Sequence, residues 1–192
     1  RLGDYPAGHW QGCIGRDLHA RLSESTAPVI LVTGHRRESF GEGFRNICTA
    51  LIEIAEQNPN YQIVYPVHLN PNVRETVFGM LAESDNIHLV EPIEYVPFVH
   101  LMNRVDFIIS DSGGIQEEAT ALGKPVLVTR EVTERPEAVK AGVCKLVGTD
   151  PSKILREASA LIEKGSLFER NEAARQVYGD GRAAERIAEA IA

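Results

Sequence analysis

The stretch PVILVTGHRRESFGEGF, Pro28 to Phe44, decides the fold. PVILVT is a near-continuous apolar run without polar alternation, the pattern of a strand buried on both faces of a parallel sheet. It gives way at once to a base, two cations and a carboxylate (His35, Arg36, Arg37, Glu38), then Gly41 and Gly43, before a helical stretch from about Phe44 to Gln57. Working outward, the alternation repeats. YQIVYPV is followed by a helical stretch from about Asn72 to Glu83, NIHLV by a short helical segment around Phe98 to Asn103, and VDFIIS by a helix beginning near Gly114; PVLVT and VCKLVG complete the series. Strand and helix in strict alternation predict an α/β fold with a doubly wound parallel sheet. After Asp150 the period turns helical, with Ile154, Leu155, Ala158, Leu161 and Ile162 on one face and Pro151 in the first turn. Two shorter helical pieces flank YGDG at Tyr178 to Gly181. Residues 1–27 read as an irregular lead-in or interdomain linker, weakly helical from Ile14 to Leu22, and residues 28–192 as the main domain.

Composition narrows the partners. The 192 residues are 43% hydrophobic and 24% charged, an ordinary globular profile with enough apolar mass for a real core. A formal charge of −7 argues against a nucleic-acid or anionic-membrane surface, so an anionic ligand has to be met by a local site. No run approaches a membrane span and no signal-peptide pattern opens the chain, which makes the cytoplasm the expected location. Cys13, Cys48 and Cys144 are widely spaced and odd in number, so they read as buried small apolar side chains; no metal site is expected. The chain opens on Arg1 and not Met, the mark expected of a piece of a longer protein.

In an open parallel sheet, ligands bind outside the carboxyl ends of the strands, and three such ends here are loaded. DSGGIQEEA, Asp111 to Ala119, combines capping residues, two glycines that let backbone amides approach a ligand (Gly113, Gly114), and a helix start: the makings of an anion site. Glu117 and Glu118 stand one turn in, where a carboxylate can accept from sugar hydroxyls. The alternative is a tight Ser-Gly-Gly turn whose glutamates merely favour the helix N-terminus. His35 directly after its strand suits an acid or base. Of Arg36 and Arg37, one is expected to reach an anion while the other pairs with Glu38 or another carboxylate; the alternative is a structural Arg-Glu pair beside a solvated histidine. His68 in PVHLNPN holds the equivalent place on the neighbouring strand end, as a ligand contact or a turn anchor. Arg135 in TERPEAV precedes Pro136 and is held extended, which suits either a cation fixed on phosphate or a surface pair.

GHRRESFGEGF, YPVHLNPNVRE, DSGGIQEEA, LGKPVLV, TERPEAV and YGDG, in this order and spacing, resemble the C-terminal domain of bacterial non-hydrolysing UDP-N-acetylglucosamine 2-epimerases over about Val29 to Ala190. The resemblance implies a Rossmann-like domain forming the C-terminal half of a GT-B-type two-domain fold, with the N-terminal half and its G-T-R-P-E motif absent. It further implies that Ser112, Gly113 and Gly114 hold the UDP diphosphate, Glu118 the ribose and Arg135 the phosphate end, while backbone near Phe98 meets uracil. His35 resembles the active-site histidine, and Arg36 and His68 resemble contacts to a second, activating UDP-N-acetylglucosamine. The implied reaction interconverts UDP-N-acetylglucosamine and UDP-N-acetylmannosamine at C2 by elimination and re-addition of UDP, with no cofactor and no metal. A homodimer of the full-length enzyme, a role in cell-surface polysaccharide biosynthesis and weak activity of this half alone are expected with it. QVYGDG stands where the family has N-P-Y-G-D-G. The competing readings are a GT-B glycosyltransferase domain and a nucleotide-binding module without chemistry.

Overall fold

A computed structural model describes Leu22, residues 27–164 and residues 176–191. The lead-in, Cys13 and most of the helical piece before YGDG lie outside the described residues. Six parallel strands form the sheet: β1 Val29–Thr33, β2 Gln62–Pro66, β3 Ile87–Val90, β4 Phe107–Ser110, β5 Val126–Val128 and β6 Cys144–Leu146. Their order is β3-β2-β1-β4-β5-β6. Between them run α1 Glu42–Gln57, α2 Pro71–Leu81, α3 Tyr95–Arg104, α4 Gly113–Leu122 and α5 Pro136–Lys140, followed by α6 Pro151–Lys164 and α7 Ala183–Ile191. This is the doubly wound, Rossmann-like arrangement, in which the chain winds outward from β1 in one direction and from β4 in the other.

Burial explains why the strands read as unbroken apolar runs. Ile30 and Val32 of β1 enter one core cluster, with Phe44, Leu51 and Ile54 of α1, Val77 of α2 and Ile154 of α6. Val29 and Leu31 point to the other face and meet Leu101 and Met102 of α3, Ala119 of α4 and Leu22. All four β1 residues are at most 1% exposed, so polar alternation on this strand would have buried an unpaired polar group.

Helix starts differ from the sequence expectation by one to three residues, each for a visible reason. The first helix begins at Glu42 because Gly41, at φ +79°, turns the chain into it. Asn70 caps α2 by accepting from the Asn72 N–H at 3.0 Å, and Pro71 occupies the first helical position. The third helix reaches back to Tyr95, and α4 starts at Gly113, capped by Ser112. The five positions expected on one face of α6 do pack inward: Ile154 and Ala158 are buried, and Leu155, Leu161 and Ile162 cover the same cluster. Cys48 and Cys144 are free and buried, and burial pushes their thiols up to about 12 and about 11, which fits their reading as apolar packing groups.

Candidate active site at the sheet switch point

Because every strand is parallel, all the loaded loops emerge on one rim. Strands β1 and β4 are neighbours whose connections leave in opposite directions, and the crevice between their carboxyl ends is where ligands bind in such sheets. Thr33 pairs with Ser110 in the ladder, and their hydroxyls are 2.7 Å apart. The next residues on each side are Gly34 and His35 from β1, Asp111 and Ser112 from β4.

Asp111 joins the two loops. Its side chain is 1% exposed, and Oδ2 accepts the backbone N–H groups of His35 at 2.8 Å and Arg36 at 2.7 Å. His35 Nδ1 lies 3.1 Å from Oδ1. Desolvation works to raise the Asp111 carboxyl, but the bonds from His35 and from the two backbone amides outweigh it and hold the group below its ordinary value. The same contact raises His35 above the ordinary imidazole value, against partial burial and the nearby Arg36. The sequence left the cap to Asp111 or Ser112; Ser112 takes it, and the Asp111 carboxylate anchors the histidine loop.

Gly34 is required by close approach. A Cβ there would stand 2.9 Å from the Phe44 ring and 3.1 Å from the Tyr65 hydroxyl, so the chain can pass over α1 and β2 only without a side chain. His35 remains 44% exposed at its side chain and stacks against His68 from the end of β2, with ring centroids 5.7 Å apart. Together with Thr33, Gly34, Pro66, Pro92, Ile93 and Phe98 they line a pocket of about 230 Å³. The Phe98 N–H donates to Glu94 O at 2.9 Å, so it is spent inside α3; the amides of Tyr95 and Val96, one turn earlier, are the ones without an intrahelical acceptor.

On the other side of His35 lies the start of α4. Ser112 Oγ accepts from the Ile115 N–H, and the Ser112 N–H donates to Ser110 Oγ at 3.0 Å. The first-turn amides of Gly113 and Gly114 therefore face outward without an intrahelical acceptor, at the positive end of a ten-residue helix. The Arg36 guanidinium is close by: its Nη2 would be 3.8 Å from a Cβ on Gly113. Two bare amides and a guanidinium make an anion cradle. Glu118, one turn in, is half-buried, and desolvation with neighbouring Glu117 raises its carboxyl above the ordinary value.

The β5 loop closes the rim. Arg130 directly follows the strand run and was not singled out from sequence. Its side chain is 5% exposed; Nε donates to Glu38 at 2.8 Å, and its two terminal nitrogens grip Glu134 at 2.6 and 2.9 Å. Glu38, expected as one of the carboxylates open to Arg36 or Arg37, pairs with Arg130, because the 3-10 turn Arg37–Ser39 carries it across to the β5 loop. Buried Gln116 ties the same loop to α4, accepting from Thr133 Oγ1 at 2.6 Å and donating to Ser112 O at 3.2 Å. Arg135 is paired with Glu117 through its Nε, so its charge reaches the rim already partnered.

The fold and this rim define a class: a parallel, Rossmann-like α/β domain with outward-facing helix amides, an arginine and a histidine at the switch point of the sheet. Within that class the family is specific. Residues 13–192 match the family model described as UDP-N-acetylglucosamine 2-epimerase, and the chain belongs to that family. It is 56% identical over 180 residues to the UDP-N-acetylglucosamine 2-epimerase of Salmonella typhimurium, covering 91% of this chain and 48% of that protein. It is 58% identical over 158 residues to the Campylobacter jejuni enzyme, covering 82% of this chain and 41% of that protein. Among solved structures, the S. aureus MnaA–UDP co-structure superposes with a TM-score of 0.84 at 38% identity, covering 98% of this chain and 49% of that one. The Neisseria meningitidis UDP-GlcNAc 2-epimerase bound to UDP-GlcNAc gives 0.81 at 45% identity, covering 91% of this chain and 49% of that one. The chain spans about half the length of the curated relatives it matches.

Proposed function

We propose that residues 28–192 are the UDP-binding domain of a GT-B-type UDP-N-acetylglucosamine 2-epimerase, and that catalysis requires a second, N-terminal half of the enzyme. One observation carries this reading: the bare amides of Gly113 and Gly114 stand beside the Arg36 guanidinium at the switch point, next to the loop in which Asp111 holds His35. A diphosphate fits that cradle, and the likeness to structures holding UDP or UDP-GlcNAc gives it a nucleotide.

In the reaction, loss of the C2 proton and departure of UDP give a 2-acetamidoglucal, and UDP returns to C1 after protonation of C2 from the opposite face. Negative charge grows on the diphosphate as the C1–O bond breaks, and preoriented amides and a cation stabilise charge where it develops. The same grip keeps UDP in place for re-addition. His35 donates to the diphosphate side of the breaking bond, while the carboxylates that move the C2 proton come from the other half. Glu118 accepts from the ribose hydroxyls, and the pocket bounded by Phe98, Pro92 and Ile93 takes the uracil, with the Tyr95 and Val96 amides as its main-chain donors. Arg135 supports the phosphate end through the loop that it shares with Glu117. Arg36 beside Gly113 and His68 stacked on His35 suit contact with a second UDP-N-acetylglucosamine, Arg36 also with the substrate diphosphate.

The experiment is to mix this chain with a separately produced N-terminal half and UDP-N-acetylglucosamine in heavy water, and to follow the C2 proton by NMR. Deuterium at C2 in the mixture, and little or none with either half alone, is the expected result. Sugar transfer to an acceptor without exchange would make the protein a glycosyltransferase, and nucleotide binding with no chemistry in any mixture would make it a binding module.

A further inference from the structure

Asp111 Oδ1 is buried, and among the described residues no hydrogen-bond donor with regular geometry satisfies it; His35 Nδ1 lies 3.1 Å away. The other oxygen is fully used, because Oδ2 takes both backbone amides of the His35–Arg36 segment. An ionised carboxylate oxygen left without a proton donor in a buried position is costly, and the two amides on Oδ2 favour the ionised group. The ring nitrogen facing Oδ1 therefore has to carry a proton. From this geometry we infer that Asp111 is a positioning residue: it fixes His35 as the Nδ1–H form, so that Nε2, on the far edge of the ring, is the nitrogen offered to the ligand.

This inference rests on the proposed role of His35 and sharpens it. With Nδ1 committed to Asp111, protonation at Nε2 yields an imidazolium that donates to an anionic oxygen, and deprotonation leaves Nε2 an acceptor. Asp111 stabilises the first state. The proton is lost from Nε2 and not from the nitrogen facing the carboxylate. Two other groups stand at the ring: Arg36 opposes its protonation, and His68 stacks on the ring face from β2. Tyr65 lies beneath this segment with its hydroxyl near Gly34, and Asp111 adds to the burial that keeps the phenol protonated. The carboxylate thus performs two tasks with two oxygens, one shaping the loop and one selecting the tautomer.

The decisive measurement needs no catalysis. In the ligand-free chain with ¹⁵N-labelled histidine, long-range ¹H–¹⁵N correlations should give His35 as the Nδ1–H tautomer above its midpoint, and Asp111→Asn should lower that midpoint and shift the population toward Nε2–H. A wild-type His35 that is mainly Nε2–H, or whose midpoint does not move in Asp111→Asn, overturns the inference, whatever the enzyme's activity turns out to be. If the variant does not fold, the wild-type tautomer alone decides. In the enzyme reassembled from both halves, Asp111→Asn should lower kcat at least about tenfold with a smaller change in KM, as removal of support for an acid–base group does. In a His35→Ala background the same substitution should change kcat by less than about threefold; an undiminished loss there would mark Asp111 as purely structural.

Discussion

Arg130 and Glu38 are 92 positions apart in sequence, yet Nε and Oε1 meet at 2.8 Å and join the loop after β5 to the loop that carries His35. The guanidinium is buried while its two carboxylate partners are half-exposed, an arrangement worth more than a surface pair because the planar fork is held on both edges. Replacing Arg130 by Met should therefore cost about 1 to 3 kcal/mol in denaturant unfolding, since it removes the hydrogen bonds while the carboxylates regain water.

The same cluster sets a pH dependence. Bonding to Arg130 holds the Glu134 carboxyl down at about 2, below its ordinary value near 4.5. A depressed acid stabilises the fold fully above its unfolded value and loses that contribution as pH falls through its folded one. Stability should decline from about pH 4.5 toward 2, and Arg130→Met should flatten that part of the curve. An identical acid limb in both proteins, followed by circular dichroism, would assign the loss to other carboxylates.

At Gly34, alanine is predicted to destabilise by about 1 to 3 kcal/mol, the range for forcing a methyl into filled space. The obstacles are the Phe44 ring and the Tyr65 hydroxyl. Combining Gly34→Ala with Tyr65→Phe should recover part of the loss in urea midpoints, because it removes one of the two contacts.

Gln116 gives a third stability test. It is fully buried and connects Ser112 O to Thr133 Oγ1, so Gln116→Leu leaves both without their side-chain partner. A loss of about 1 to 3 kcal/mol is expected. Because this tie runs between the anion cradle and the β5 loop, calorimetry should also find weaker UDP binding; unchanged affinity would separate the tie from the cradle.

For the nucleotide itself, Glu118→Ala should weaken UDP binding by about 1 to 3 kcal/mol, the cost of leaving buried hydroxyls unpaired. His35→Ala should leave UDP affinity nearly intact and remove turnover in the reassembled enzyme. Calorimetry and the C2 exchange measurement check the two claims independently.

Much of this was legible before any coordinates. Unbroken runs such as PVILVT and VDFIIS are strands because both sheet faces are covered, and the strand-end rule led to His35, His68 and the Ser112–Gly114 turn. What escaped was pairing. Asp111 directly follows β4 and Arg130 comes two residues after β5, so both met the same rule, but nothing local shows that Arg130 would reach Glu38, or that Asp111 would cap the loop after a different strand. Those partners are chosen by sheet order, which places β4 and β5 next to and beyond β1, and strand order is a property of the whole chain. The resemblance supplied roles for residues but not these internal supports.

The pairing of Thr33 with Ser110 also bears on how the molecule comes to exist. Strands β1, β2 and β3 are joined by short βαβ units and can associate early, whereas β1 and β4 must close a loop of about 77 residues, and long-range parallel pairing is the slow part of folding. The rim between β1 and β4 is then the last region expected to form, when the two halves of the sheet zip together. Until that moment the central strand β1, apolar from Val29 to Val32, presents a row of unpaired backbone groups, and a chain halted there is primed to pair with another copy of itself. The switch point proposed as the ligand site is thus also the point of greatest exposure to misassembly during synthesis.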